Sequence, residues 1–437
     1  MARSSAKRSR QGRTRRVTWV ASCLATTVLL VAACSSDSSS TSSSSGSAAS
    51  SGSAAANDLL GSPNEAAGEP IVLGLVSAAP SSAAGPAYQR AEAGMNMALD
   101  YANHYLGGIA GRPIQFFRCE GIDTPAGSQD CANQMVSRKV AAVLLPLSGQ
   151  PAMVPILTQA GIPYVTIAAA SPEELTTPGA FSITGGFPTT MAAWAQLAQQ
   201  EGVKKFTLIA TDIPALSQGA TTLSKLVFPK VGVDFSFIGA PPGTPDMTPQ
   251  LQAAVDGGAD AIAALGDITF CTSFMQAYRT LSLKTPKYLV SLCVDPSTVK
   301  AYSDVLDGSK MIGAISGDPT DKDVQLYAAI ANKYGKNVDP NPNLNPGAAA
   351  GSAVVLSFVS LMKGLTGDVT PATVLAQLKA ATKAPLFLGG GATLTCDGSA
   401  VPIFKNICSG FMNLSTVDAH GELHGTKLIQ AGSLYAS

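Results

Sequence analysis

The sequence predicts an α/β fold with parallel sheets, and three observations carry that expectation. Short continuous apolar runs recur, as in Ile71-Val72-Leu73-Gly74-Leu75-Val76, the pattern of strands buried on both faces. Stretches with helical apolar spacing alternate with them, the rhythm of βα units. The chain beyond residue 70 is too long for one core and fits two domains of ~100–200 residues each.

The elements follow in order. Residues 71–76 form the first strand, and a loop of small residues, 77–86, leads from it. Residues 91–105 form a helix with Met95, Leu99 and Ala102 on one face. Glycines at 107, 108 and 111 turn the chain into a second strand at 114–118. A helix at 130–138, a strand at 140–145, a helix at 153–159 and a strand at 164–167 come next. Helices are then expected at 192–200, 220–226, 249–255 and 272–280, interleaved with strands at 205–210, 234–238, 261–265 and 287–292. A proline-rich segment at 337–346 precedes a helix at 348–362. In open α/β sheets ligands bind beyond the carboxyl ends of the strands, so the loops after strands are the informative ones.

Ahead of this domain, Arg3, Lys7, Arg8, Arg10, Arg13, Arg15 and Arg16 precede an apolar run over 17–30 and then Val31-Ala32-Ala33-Cys34. Basic, apolar and small-residue regions in this order make an export signal. About fourteen apolar residues are too few to cross a ~30 Å hydrocarbon core. The junction resembles the lipobox of bacterial lipoproteins, which implies a signal at 1–33 and a diacylglyceryl group on the thiol of Cys34. A plain secretory cut near Ala33 is the alternative. Thr14-Arg15-Arg16-Val17 also resembles a twin-arginine signal, which leaves the export route open. Residues 34–69 are read as the lipidated cysteine and a serine-rich flexible linker, because 35–56 offer almost nothing to bury.

Of 29 Lys and Arg, seven lie in the signal, leaving 22 against 29 Asp and Glu. The mature part is therefore net acidic, which gives no support for nucleic-acid binding. Of eight cysteines, Cys23 leaves with the signal and Cys34 is the lipid site. The remaining six fall into local couples, Cys119 with Cys131, Cys271 with Cys293 and Cys396 with Cys408, and exported proteins commonly oxidise such sets. Zinc is the competing reading, but no couple has CxxC spacing and only three histidines exist.

Specific segments carry a family resemblance. They are Gly94-Met95-Asn96-Met97-Ala98-Leu99-Asp100-Tyr101-Ala102-Asn103 with the Gly-Gly-Ile that follows, and Ser148-Gly149-Gln150-Pro151-Ala152. Ala160-Gly161-Ile162-Pro163, the run from Ala168 through Ser171-Pro172-Glu173-Glu174 to Thr176, and Leu283-Lys284-Thr285-Pro286 belong with them. Together they resemble type I periplasmic binding proteins, in particular the solute-binding lipoproteins of branched-chain amino acid (Leu/Ile/Val-type) ABC transporters. The resemblance implies two Rossmann-like lobes with parallel central sheets joined by three crossovers. Lobe 1 would hold 70–186 plus 316–400, and lobe 2 would hold 187–315 plus 401–437.

The same resemblance implies that Ser148, Ala169 and Ser171 hold a ligand carboxylate; both serines alternatively cap helices. In lobe 2 the position at which amino-acid binders place a carboxylate falls near Leu292, which cannot balance an ammonium. Either another acid compensates or the ligand has no α-ammonium. Asp267 is the candidate substitute, with capping of a helix near Thr269 as its other role, and Asp295 is a weaker one. Leu216 stands where the family commonly has a tyrosine, and Tyr88 is either a lobe 1 side wall or a surface residue.

His420-Gly421-Glu422-Leu423-His424 lacks the HExxH order and reads as a hairpin turn. No GxSxG elbow, GxxxxGK[ST] loop or nucleophile–base set appears. The expectation is a monomeric binder, not an enzyme, that needs no cofactor or metal. It would be lipid-anchored at the outer face of the bacterial cytoplasmic membrane and deliver a small polar solute (amino acid, carboxylate or amide) to an ABC permease. A ligand sensor without transport is the alternative, followed by a lipid or wall-precursor carrier.

Overall fold

The computed structural model describes residues 59–82, 84–147 and 150–436. The signal, Cys34, the serine-rich tract and Ser148 lie outside the described residues.

The first sheet comprises β1 (Ile71–Ser77), β2 (Ile114–Glu120), β3 (Val143–Leu145), β4 (Tyr164–Ala168) and β5 (Ala180–Thr184). They are all parallel, in the order β2-β1-β3-β4-β5. The second sheet takes β6 (Lys205–Thr211), β7 (Asp234–Ala240), β8 (Ala261–Leu265), β9 (Lys287–Leu289) and β10 (Lys310–Gly313). A short ribbon of β11 (Ala384–Pro385) and β12 (Thr393–Leu394) follows in the chain. Then β13 (Phe411–Val417) and β14 (Leu423–Gln430) join the second sheet antiparallel, giving β14-β13-β10-β9-β8-β6-β7.

The parallel parts of the two sheets repeat one order, and each reverses direction beside its first strand. The reversals lie between β1 and β3 and between β6 and β8, the crevices where open α/β sheets take ligands. The chain passes between the lobes three times. After β5 the helix Gly186–Gln200 sends Met191, Trp194 and Leu197 into the second core. After β10 the helices Lys322–Tyr334 and Pro346–Leu361 return to the first core. After Cys408 the chain enters β13.

The helices Gly85–Tyr105 and Pro346–Leu361 pack closely because glycine stands on both. A Cβ on Gly94 would lie 2.0 Å from the Ala348 carbonyl oxygen, and one on Gly351 would lie 2.0 Å from that of Ala91. Ser352 Oγ donates to the Gly94 carbonyl across this contact at 3.0 Å. The Gly94 segment is thus explained by helix packing rather than by a ligand.

Several boundaries differ from expectation. The first helix begins at Gly85 with Pro86 in its first turn, a position where the missing N–H of proline is harmless. Strand β3 starts at Val143 rather than 140, and β9 ends at Leu289. Beyond β9 a 3-10 turn at Ser291–Val294 carries Cys293 to its bond with Cys271, so Leu292 does not sit on a strand. Strand β5 was not foreseen, because Ser182 and Thr184 break its apolar run; both are buried, with their hydroxyls donating to the carbonyls of Thr184 and Ile167.

Part of the expected linker packs on the first lobe. Leu60 is buried in the first core, and Tyr101 Oη donates to its carbonyl at 3.3 Å. The amides of Asn64 and Ala66 donate to the carbonyls of His104 and Asn103 at 2.9 and 2.8 Å. Residues 59–69 are therefore a strap on the carboxyl end of the first helix, held by apolar burial and backbone pairing that a serine-rich tract cannot supply.

All three cysteine couples are disulfides: Cys119–Cys131, Cys271–Cys293 and Cys396–Cys408. The first ties β2 to the helix Pro125–Arg138, and the second ties the helix Ile268–Thr280 to the turn after β9.

Candidate functional site

On the first lobe the reversal brings together the loop after β1 and the loop after β3. Tyr88 sits in the first turns of the helix Gly85–Tyr105 and is buried, so it is neither ahead of the helix nor on the surface. Its hydroxyl bonds to the Gln150 side chain, and burial pushes its pKa up to about 12. Gln150 is itself buried and accepts from Ser128 Oγ at 2.6 Å. The β3 loop is thus anchored at Gln150 by Tyr88 and Ser128, while Ser148 lies outside the described residues.

The loop after β4 is held by one carboxylate. Glu174 is 1% exposed. Its Oε2 accepts from the amides of Ala170 and Ser171, both at 3.0 Å, and its Oε1 accepts from Tyr164 Oη at 2.5 Å. Ser171 Oγ accepts from the Glu174 amide at 3.2 Å, completing a reciprocal cap on the helix Pro172–Thr176. Burial first, and Glu174 second, hold the Tyr164 hydroxyl well above the ordinary tyrosine range. Ala169 donates its N–H to Ser182 Oγ at 2.7 Å. The amides of Ala169, Ala170 and Ser171 are therefore all engaged inside the protein in this conformation. Ser171 retains its own hydroxyl hydrogen, because its oxygen acts as acceptor in the cap.

On the second lobe, Asp267 follows β8 at the reversal and is exposed. Its Oδ1 accepts from the Phe270 amide at 2.8 Å and caps the helix Ile268–Thr280. Asp295 likewise caps the helix Pro296–Leu306 through the Ser297 amide. Asp212, which follows β6, accepts from Ser217 Oγ at 2.9 Å. Beside these acids stand apolar side chains left in solvent: Ile213 after β6 is 40% exposed and Leu292 after β9 is 42% exposed. Leu216 is half-buried against the second core, as is Phe187, whose ring packs over Gly219 of the helix Pro214–Val227. The Cys271–Cys293 bond fastens the loops that carry Asp267 and Leu292 to each other.

Sequence reasoning thus placed residues at both reversals but did not single out Gln150, Tyr164 or Glu174. Ser171-Pro172-Glu173-Glu174 is a readable capping signature, whereas the Tyr164 contact needs the fold. At the edge of the second sheet, the expected hairpin turn joins β13 to β14, with His420 in the turn and His424 on β14. Asp418 accepts there from the amides of His420 and Glu422, and it pairs with His424 at 2.9 Å.

Among the described residues no helix is long and apolar enough to cross a membrane. No curated protein matches this chain in sequence. Solved structures share the architecture at low identity. An ABC transporter substrate-binding protein from Sphaerobacter thermophilus is 20% identical, with a TM-score of 0.66 over 82% of this chain and 96% of that one. The branched-chain amino acid transporter substrate binding protein LivJ from Streptococcus pneumoniae, solved with isoleucine, is 17% identical, with a TM-score of 0.63 over 83% and 99%. A solute binding protein of an ABC transporter from R. palustris, solved with 4-hydroxybenzoate, is 18% identical, with a TM-score of 0.64 over 81% and 95%. The family model for periplasmic binding proteins matches residues 70–403. With that match spanning the first sheet, the parallel strands of the second and the first two crossovers, the chain belongs to the periplasmic binding protein family, in its type I form.

Proposed function

We propose that this protein captures a small carboxylate with an apolar body and no α-ammonium by closing its two lobes, and passes it to an ABC permease. The single observation that carries the ligand class is the second-lobe rim. Asp212, Asp267 and Asp295 each have an oxygen engaged in a cap or local hydrogen bond, while Ile213 and Leu292 stand exposed. Leu292, at the place after β9, offers an ammonium no counter-ion, and each of the three acids is already turned toward an N–H or O–H of its own loop, so a buried ammonium would be poorly compensated. The hydroxyls of Ser148 and Ser171 would take the carboxylate, without the Ala169 amide. That related structures were solved with isoleucine and with 4-hydroxybenzoate supports a scaffold that accepts both kinds of ligand. Only contacts made to both lobes favour the closed state, so no bond is made or broken. Lipid attachment at Cys34 and the tether beyond it keep the binder at the outer membrane face.

The test is calorimetric titration with matched pairs: leucine against 4-methylpentanoate, phenylalanine against 3-phenylpropanoate, and 4-hydroxybenzoate by itself. The acid of each pair should bind at least about a hundredfold tighter than its amino acid. Tighter binding of the amino acids would overturn the ligand class, and silence across the panel would overturn solute capture.

A further inference from the structure

A cavity of about 600 Å³ opens on the second lobe at the pole away from the rim. Lys287 and Lys310, which begin β9 and β10, both line it. Parallel strands put their amino ends opposite their ligand-bearing carboxyl ends, so this cavity does not share the interlobe site. Its size falls within the usual range for small-molecule sites, ~300–1,000 Å³.

The charges around it are unevenly engaged. Arg279 is paired with Asp304, and Glu201 accepts from Tyr288 Oη. Among the described residues Lys310 Nζ donates to Thr416 Oγ1 alone, at 3.4 Å. Lys287 is half-buried, with Nζ 4.9 Å from the centre of the Tyr278 ring. None of the ion pairs among the described residues engages it. Burial lowers its pKa, while Asp307 acts in the opposite sense. Lys284, exposed on the same wall, adds a further positive charge. The lining sets Arg279, Lys284, Lys287 and Lys310 against Glu201, Asp304 and Asp307, and that excess of positive charge, with Lys287 half-sunk on an aromatic face, is complementary to an anion.

We infer that this cavity is a second binding site, for a phosphate-bearing anion with a small organic body, with Lys287 as its central contact and Lys284 and Lys310 beside it. The phosphate could belong to a soluble ester or to a phospholipid headgroup; the recognising chemistry is the same.

The test is calorimetric titration of the purified protein with inorganic phosphate and with glycerol 1-phosphate, repeated on Lys287→Met and Lys284→Gln. Sedimentation with phosphatidylcholine vesicles, with and without phosphatidylglycerol, separates the sources. Both phosphates should bind, glycerol 1-phosphate more tightly, and Lys287→Met should weaken binding about tenfold or more, the share of one charge-assisted hydrogen bond. Lys284→Gln, at an exposed position that cannot disturb the core, should weaken it by a smaller factor. Co-sedimentation only with phosphatidylglycerol, lost in Lys287→Met, identifies a headgroup; binding of the soluble ester without co-sedimentation identifies a soluble anion. Absence of phosphate binding, or binding that a folded Lys287→Met leaves unchanged, overturns the inference.

Discussion

Glu174→Ala removes the acceptor that three donors of the first-lobe rim share. The Ala170 and Ser171 amides and the Tyr164 hydroxyl would each be left without their partner. At about 1 kcal/mol for each donor left without an acceptor, the loss is about 3 kcal/mol, with the buried tyrosine weighing most. Glu174→Gln keeps an oxygen for the two amides and offers its NH2 to the tyrosine oxygen, so it should lose about 1 kcal/mol, the difference between charged and neutral acceptors. Urea unfolding followed by circular dichroism measures both. Fluorescence would not serve, because Trp194, the one tryptophan among the described residues, reports the second core. Ser171 is oriented by the same cap, so Glu174→Ala should also weaken ligand binding where Glu174→Gln largely preserves it. A loss below about 1 kcal/mol for the alanine variant would refute the reasoning, since at least one of these donors must then be satisfied another way.

Other outcomes follow from the same coordinates. Asp267→Asn keeps a good helix cap and should leave both stability and affinity for an ammonium-free ligand unchanged, whereas Asp267→Ala should cost about 1 kcal/mol in thermal or urea unfolding. Gly351→Ala drives a Cβ to 2.0 Å from the Ala91 carbonyl oxygen, so it should destabilise the first lobe by about 3 kcal/mol through forced helix separation, read as a lowered urea midpoint. Replacing both Cys271 and Cys293 by alanine opens a loop of 22 residues. It should cost about 3 kcal/mol in the chain-entropy model and loosen the rim, raising the ligand dissociation constant. Asp418 raises the pKa of exposed His424, so this tie is complete below the ordinary histidine value and is lost as pH rises through the raised one. Histidine titration by NMR should place His424 above the ordinary value and return it there in Asp418→Asn.

Much of the architecture was legible because it depends on local pattern. The run at 71–76 is apolar on both faces and became β1; Ala261–Leu265 matched its expected bounds for the same reason. Paired cysteines twelve or twenty-two residues apart marked the disulfides. Strand β5 and the strap at 59–69 escaped because their order comes from distant partners: buried hydroxyls that find carbonyls in one case, and the end of the first helix in the other. Ser171 and Asp267 could be read as following strands and as capping helices, and both do so, after β4 and β8. That the Ala169 amide is engaged by Ser182 could not be read, since the two residues meet only across adjacent strands.

The sequence by itself determined the βα rhythm, the cluster of basic residues before residue 17 and the cysteine couples, since burial period, charge and spacing are properties of neighbours along the chain. The tertiary structure alone decided where each sheet reverses, which rim acids are already engaged, and which lysine stands half-buried without an ion pair. Those depend on groups far apart in sequence competing for the same hydrogen-bond partners and the same shelter from water, and only the folded chain brings them within reach.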